Sequence, residues 1–149
     1  MDGDFEISLL LRGKRFKKIL DELYKDFRKE YGLKQVEVDV LVYFGRFPES
    51  SSTDAAKELS LHKGHISLAT EGLCEKRLLV PRQDAEDRRY VRYECTEEGM
   101  RICNEILSLR RRIKETAFTG LTEAETEEFI SLGRRILDNI EKMAEEKPD

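Results

Sequence analysis

Residues 78–95 read Leu78-Leu79-Val80-Pro81-Arg82-Gln83-Asp84-Ala85-Glu86-Asp87-Arg88-Arg89-Tyr90-Val91-Arg92-Tyr93-Glu94-Cys95, and this stretch decides the fold. Leu78-Leu79-Val80 begins a short strand. Pro81 confines it to an edge or an end, because proline cannot donate to a ladder, and Gln83 to Asp87 reads as a polar turn. Arg89 to Cys95 returns as a second strand, with Tyr90, Arg92 and Glu94 facing opposite to Val91, Tyr93 and Cys95. The stretch is a β-hairpin.

Upstream lie two short helical segments joined by a turn. Thr53 to Leu59 has Ser52 or Thr53 as N-cap and Ala55, Ala56 and Leu59 as its inward face. After Ser60-Leu61-His62, a longer helix runs from Lys63 to about Arg77, with Ile66, Ala69 and Leu73 on one side. That is helix-turn-helix spacing, and a hairpin directly after it makes a winged helix. Further upstream, Val36, Val38, Val40, Leu41 and Phe44 mark a segment from Gln35 to Phe47. Its β-branched residues permit a strand; its length and setting favour a helix. Pro48 and Ser50-Ser51-Ser52 end it.

Long amphipathic helices flank this lobe. Phe16, Leu20, Leu23, Phe27 and Tyr31 recur at helical spacing in a first helix from about Asp4 to Tyr31, which Gly32 stops. Downstream, Thr96 caps a helix with Glu97 and Glu98 in its first turn and Ile102, Ile106, Leu109 and Ile113 on its stripe. Thr122-Glu123-Ala124-Glu125 is a capping box opening a last helix through Phe129, Leu132, Ile136, Leu137, Ile140 and Met143, with Pro148 beyond it. The fold class is mainly α with a small β-hairpin wing.

The chain has 149 residues, 39% of them hydrophobic and 39% charged, with a formal net charge of −4. That length suits one domain with its own core. No apolar run reaches the roughly 20 residues of a membrane span, and the acidic start Met1-Asp2-Gly3-Asp4 is unlike a signal peptide, so a cytoplasmic protein is expected. Charge is uneven. Residues 12–29 carry eight basic against three acidic side chains, residues 62–92 seven against five, and residues 121–149 four against nine. Partners respond to the local field, so an acidic total does not exclude nucleic acid.

From Leu73 to Gly99 the sequence resembles the MarR family of bacterial transcriptional regulators. Asp84-Ala85-Glu86-Asp87-Arg88-Arg89, a strand, and then Thr96-Glu97-Glu98-Gly99 are similar to that family's wing signature and following helix entry. Leu73-Cys74-Glu75-Lys76-Arg77-Leu78-Leu79 is similar to its exit from the recognition helix. Three positions depart: Arg77 stands where the family usually has glycine, Cys95 where it has leucine, and Leu68 where many members have arginine. The first departure implies a helix exit made without a left-handed residue.

The resemblance implies one MarR-like domain over residues 1–149. A winged-helix DNA-binding lobe would span about 35–95, with dimerisation helices at about 4–31 and 96–146. It further implies a cytoplasmic homodimer on a palindromic operator in double-stranded DNA. The terminal helices are compatible, offering more apolar positions than a monomer of this size easily buries.

On that reading the recognition helix presents Lys63, Gly64, His65, Ser67 and Leu68 to the major groove, with Glu71 alongside. Lys63 suits a phosphate or a guanine acceptor, Ser67 donates or accepts, and His65 can donate to guanine N7 or O6. His65 is equally at home as a solvated residue at a helix start. Gly64 lets the backbone come close. The resemblance implies that Asp87 orients Arg89 toward a narrow minor groove, where negative potential is concentrated. Arg88 would then be a phosphate contact or a second wing arginine.

No catalytic set, cofactor motif or metal site is expected. There is no phosphate-binding glycine loop, nucleophile elbow or paired acid–base motif. His62, His65 and Cys74 have poor spacing for zinc, and the cysteines 74, 95 and 103 lack CxxC spacing. Cys74 and Cys103 fit as small hydrophobes, leaving Cys95, beside the wing, as the first candidate for alkylation. Two functions remain open. One is a DNA-binding repressor that responds to a small aromatic or amphipathic effector in a cleft between the dimerisation helices and the lobe. The other is a winged-helix protein–protein interaction module whose basic wing meets an acidic partner. Tyr24, Tyr43, Phe44 and Arg15 suit a pocket, a core or a surface equally.

Overall fold

The structure, a computed structural model, describes residues 13–147. The expected helical start near Asp4 and the position of Pro148 lie outside that range. Among the described residues the order is α1 (Gly13–Tyr31), α2 (Gln35–Arg46), α3 (Ser52–Glu58), α4 (Lys63–Glu75), β1 (Leu79–Gln83), β2 (Val91–Cys95), α5 (Glu97–Ala117) and α6 (Glu123–Glu145). The described residues divide into two compact units, one up to residue 107 and one from residue 108.

In the first unit α2 is the centre of the core. Val38, Val40, Leu41 and Phe44 are completely buried, as are Ala55 of α3, Ile66 and Leu73 of α4, and Ile106 of α5. The valine run is helical because burial on nearly every side outweighs a propensity penalty of a few tenths of a kcal/mol per residue. Helix α3 starts one residue earlier than its serines and threonine suggested. Ser51 is the N-cap, accepting from Asp54 N at 3.1 Å, while its own N–H donates to Asp54 Oδ2 at 2.9 Å. This reciprocal bond also draws the Asp54 carboxyl below its ordinary range.

Helix α4 ends two residues earlier than expected, and in a different way. Arg77 adopts φ +60°, with Leu78 N donating to Leu73 O at 2.9 Å and Arg77 N to Cys74 O at 3.0 Å. The left-handed exit is therefore kept despite the missing glycine, and the Cβ bears its strain. Arg77→Gly is expected to stabilise the fold by about 1 kcal/mol, read as a raised midpoint in a circular-dichroism melt. No gain would mean that the arginine side chain compensates elsewhere.

The two strands pair antiparallel, with Leu79 opposite Cys95, Pro81 opposite Tyr93 and Gln83 opposite Val91. Gln83 thus belongs to the strand, and the loop is Asp84 to Tyr90. The hairpin is fastened at its root. Tyr93 lies against Phe44 of α2, ring centroids 5.3 Å apart. Thr96 N donates to Leu78 O at 3.0 Å, and Thr96 Oγ1 donates to Arg77 O at 2.8 Å while accepting from Gly99 N at 3.0 Å. The threonine thus caps α5 and ties it to the strand in one step.

The second unit holds the end of α5 and α6, joined by a turn in which Gly120 sits at φ +87°. Thr122 accepts from Glu125 N at 3.1 Å and its N–H donates to Glu125 Oε2 at 2.8 Å, so the expected capping box is present. Phe118 meets Phe129 edge to face. Helix α6 nevertheless buries no residue. Phe129, Leu132, Ile136, Leu137, Ile140 and Met143 are all exposed.

Candidate nucleic-acid interface

Because Ile66, Ala69 and Leu73 hold one side of α4 in the core, the opposite side must face solvent. Lys63, Gly64, His65, Ser67, Leu68 and Glu71 are all exposed there. Lys63 lies in the first turn, which holds no acidic residue, so the positive end of the helix and the lysine charge reinforce each other. A Cβ at Gly64 would meet nothing within 4 Å, so the backbone of that turn is open to a close approach.

The wing loop is built on two aspartates. Asp84 Oδ1 accepts from Glu86 N at 2.8 Å, and Asp84 Oδ2 accepts from Arg92 Nε at 3.0 Å. Arg92 also donates to the carbonyl of Glu49, which fastens the wing to the segment before α3. Asp87 does the same work at the tip. Its Oδ1 accepts from the backbone N and the Nε of Arg89, both at 3.0 Å, and its Oδ2 accepts from Arg89 Nη2 at 2.7 Å. The Arg89 side chain is nevertheless 85% exposed, against 32% for Asp87. The guanidinium is held in one orientation while most of it stays in water. Hydrogen bonds from Arg89 draw the Asp87 carboxyl below its ordinary range, and the carboxylate in turn raises Arg89. Arg88 is exposed beside it, its carbonyl accepting from Gln83 Nε2 at 3.0 Å.

Two features escaped the sequence reading. Glu37, in the middle of the valine run, is only 3% exposed. Its carboxylate accepts from Lys34 N at 3.0 Å and from Lys76 Nζ at 2.6 Å, linking the start of α2 to the end of α4. Gly72 makes room for it, since a Cβ there would lie 2.8 Å from Glu37 Oε2. An acid inside an apolar run, 39 residues before a lysine, was the available signal. Beside this pair is a cleft of about 410 Å³, lined by Val36, Leu61, His65, Leu68 and Ala69 among others. The earlier pocket candidates Tyr24, Tyr43 and Phe44 are core residues.

Of the thiols, Cys95 differs from expectation. Cys103 is fully buried, as a small hydrophobe should be, whereas burial pushes the Cys95 thiol up to about 11, so it is not the readily alkylated group expected. Among the described residues no set of three or more His, Cys, Asp or Glu converges on a metal position, and no helix is long and apolar enough to cross a membrane.

A helix-turn-helix followed by a fastened hairpin defines the winged-helix class, and residues 33–99 match the family described as Winged helix DNA-binding domain. Within that class the fold of the chain is similar to that of solved MarR structures. It superposes on a MarR protein from Peptoclostridium difficile DA00132 with a TM-score of 0.80 at 18% identity, covering 91% of this chain and 89% of that one. It also superposes on the S. aureus protein of a MepR–DNA complex, with a TM-score of 0.75 at 19% identity, covering 90% and 97%. In sequence it is 28% identical over 128 residues to an uncharacterized HTH-type transcriptional regulator, YpoP, of Bacillus subtilis (strain 168), covering 86% of this chain and 89% of that one.

Proposed function

We propose that this chain is a cytoplasmic transcriptional regulator, not an enzyme, that binds double-stranded DNA as a homodimer on a palindromic operator. The observation that carries the reading is the pairing of two exposed devices in one unit: the solvent face of α4 and an Arg89 clamped in place yet 85% exposed. A surface salt bridge needs no such bidentate hold for stability alone. A pre-oriented guanidinium loses less freedom on entering a minor groove. Lys63, His65, Ser67 and Leu68 then meet the major groove, and Arg88 meets phosphate. A solved MepR–DNA complex of the same fold supports this assignment.

The dimer is supported by two rows of exposed apolar side chains: Phe16, Ile19 and Leu23 on α1, and Phe129 to Met143 on α6. Rows of this kind are covered most simply by a second copy. Regulation follows when a small aromatic or amphipathic effector binds better to a state with mis-spaced recognition helices, since its differential affinity sets the shift.

Gel shifts on duplex DNA from upstream of its own gene, with sedimentation in parallel, test the proposal. A dimer is expected, with affinity falling about 10³–10⁵-fold between 50 and 200 mM salt if six to ten phosphates are contacted. Absence of DNA binding at low salt, with a protein partner captured through the wing, would favour the interaction-module reading.

A further inference from the structure

Leu68 is the most exposed large apolar side chain among the described residues, at 68%. It stands on the solvent side of α4, one turn after Gly64. Helical side chains lean toward the N-terminus, so the isobutyl group is directed toward the exposed first turn of α4, which carries Lys63, Gly64 and His65. Leu68 lines the cleft with Leu61 and Ala69, and a Cβ at Gly64, one turn earlier, would meet nothing within 4 Å. Around it, Lys63, His65 and Ser67 are polar. Leu68 is thus one apolar group in an otherwise hydrogen-bonding surface.

We propose that Leu68 is a specificity determinant that reads thymine through its C5-methyl group. The inference rests on the DNA-reading role of α4 and adds which base one of its residues selects. Leucine can neither donate nor accept, so it can discriminate only by apolar contact. In the major groove thymine alone presents a methyl; guanine, adenine and cytosine present acceptors and donors. Against those bases the isobutyl group would strip water from polar edges and return no hydrogen bond. Attraction to thymine and a penalty against the other bases therefore act in the same direction.

The test begins with duplexes retained by the wild-type protein from a random pool. Each thymine of the retained sequence is replaced in turn by deoxyuridine, which removes only the methyl. At one thymine per half-site the wild type is expected to lose about 3–5-fold in affinity, the worth of one buried methyl group. Leu68→Ala, whose melt should match the wild type because the side chain is exposed, is expected to bind thymine and uracil duplexes equally at that position. A wild type indifferent to every such replacement overturns the proposal, as does a Leu68→Ala protein that keeps the preference. If no duplex is retained at all, the DNA-reading role falls and this inference falls with it.

Discussion

Gly99→Ala is expected to remove a large share of the stability of the winged-helix unit. A Cβ built on Gly99 would lie 2.1 Å from the Leu78 carbonyl oxygen and 3.0 Å from its carbon. Both are backbone atoms, so no rotamer change can relieve the contact. The carbonyl cannot retreat freely either, because it accepts from Thr96 N at 3.0 Å. Either α5 moves off the hairpin root, or the bonds that join Thr96 to Arg77, Leu78 and Gly99 break. Overpacking against a fixed backbone and the loss of a hydrogen bond together cost about 3 kcal/mol or more. Typical domains have only about 5–15 kcal/mol in hand. A thermal melt should show a midpoint lower by on the order of 10 °C. An unchanged midpoint would show that α5 can shift without loss, and the root would then be no rigid support for the wing.

The same contact explains what the sequence could and could not reveal. The glycine three residues after Thr96 was legible as part of a helix entry, but its physical reason, a carbonyl pressed against the helix, needed the hairpin in place. Periodicity found all six helices, since each has a buried or apolar stripe, and even the ambiguous valine run resolved once α2 proved buried nearly all round. Errors gathered at termini, where one hydrogen bond decides. Ser51 caps α3 in place of Ser52 or Thr53, and Arg77 takes a left-handed exit that its Cβ argued against. Long-range polar pairs were illegible. Nothing local joins Glu37 to Lys76, or Arg92 to Glu49. The Asp87–Arg89 pair was legible because it is local, two residues apart on a turn. The thiol environment was not, because whether Cys95 reaches solvent depends on how the hairpin root packs.

Arg89→Ala is expected to weaken DNA binding about 100-fold in the dimer, roughly tenfold for each wing, the scale of one lost charge-assisted contact. The side chain is exposed and pairs with Asp87 of the same turn, so the melt should scarcely change. Asp87→Ala separates orientation from charge. It removes the four hydrogen bonds that the carboxylate accepts from the backbone and side-chain nitrogens of Arg89 but leaves the guanidinium. It also removes a negative charge that a phosphate-lined groove would repel. If the wing acted only as a source of positive charge, Asp87→Ala would bind DNA more tightly than wild type. If pre-orientation matters, it binds more weakly, with a salt slope close to wild type, because the number of cations meeting the DNA is unchanged. Arg89→Ala should flatten the slope by about one to two units for two lost cations. The Asp87 carboxyl lies below its ordinary value of 3.8, so its charge, and the clamp with it, is complete above that value and is lost as pH falls through the lower folded one. The wing contribution should accordingly stay constant from pH 8 down to pH 5. Equal affinity of wild type and Arg89→Ala across that range would remove Arg89 from the interface, leaving α4 and Arg88 to account for any binding.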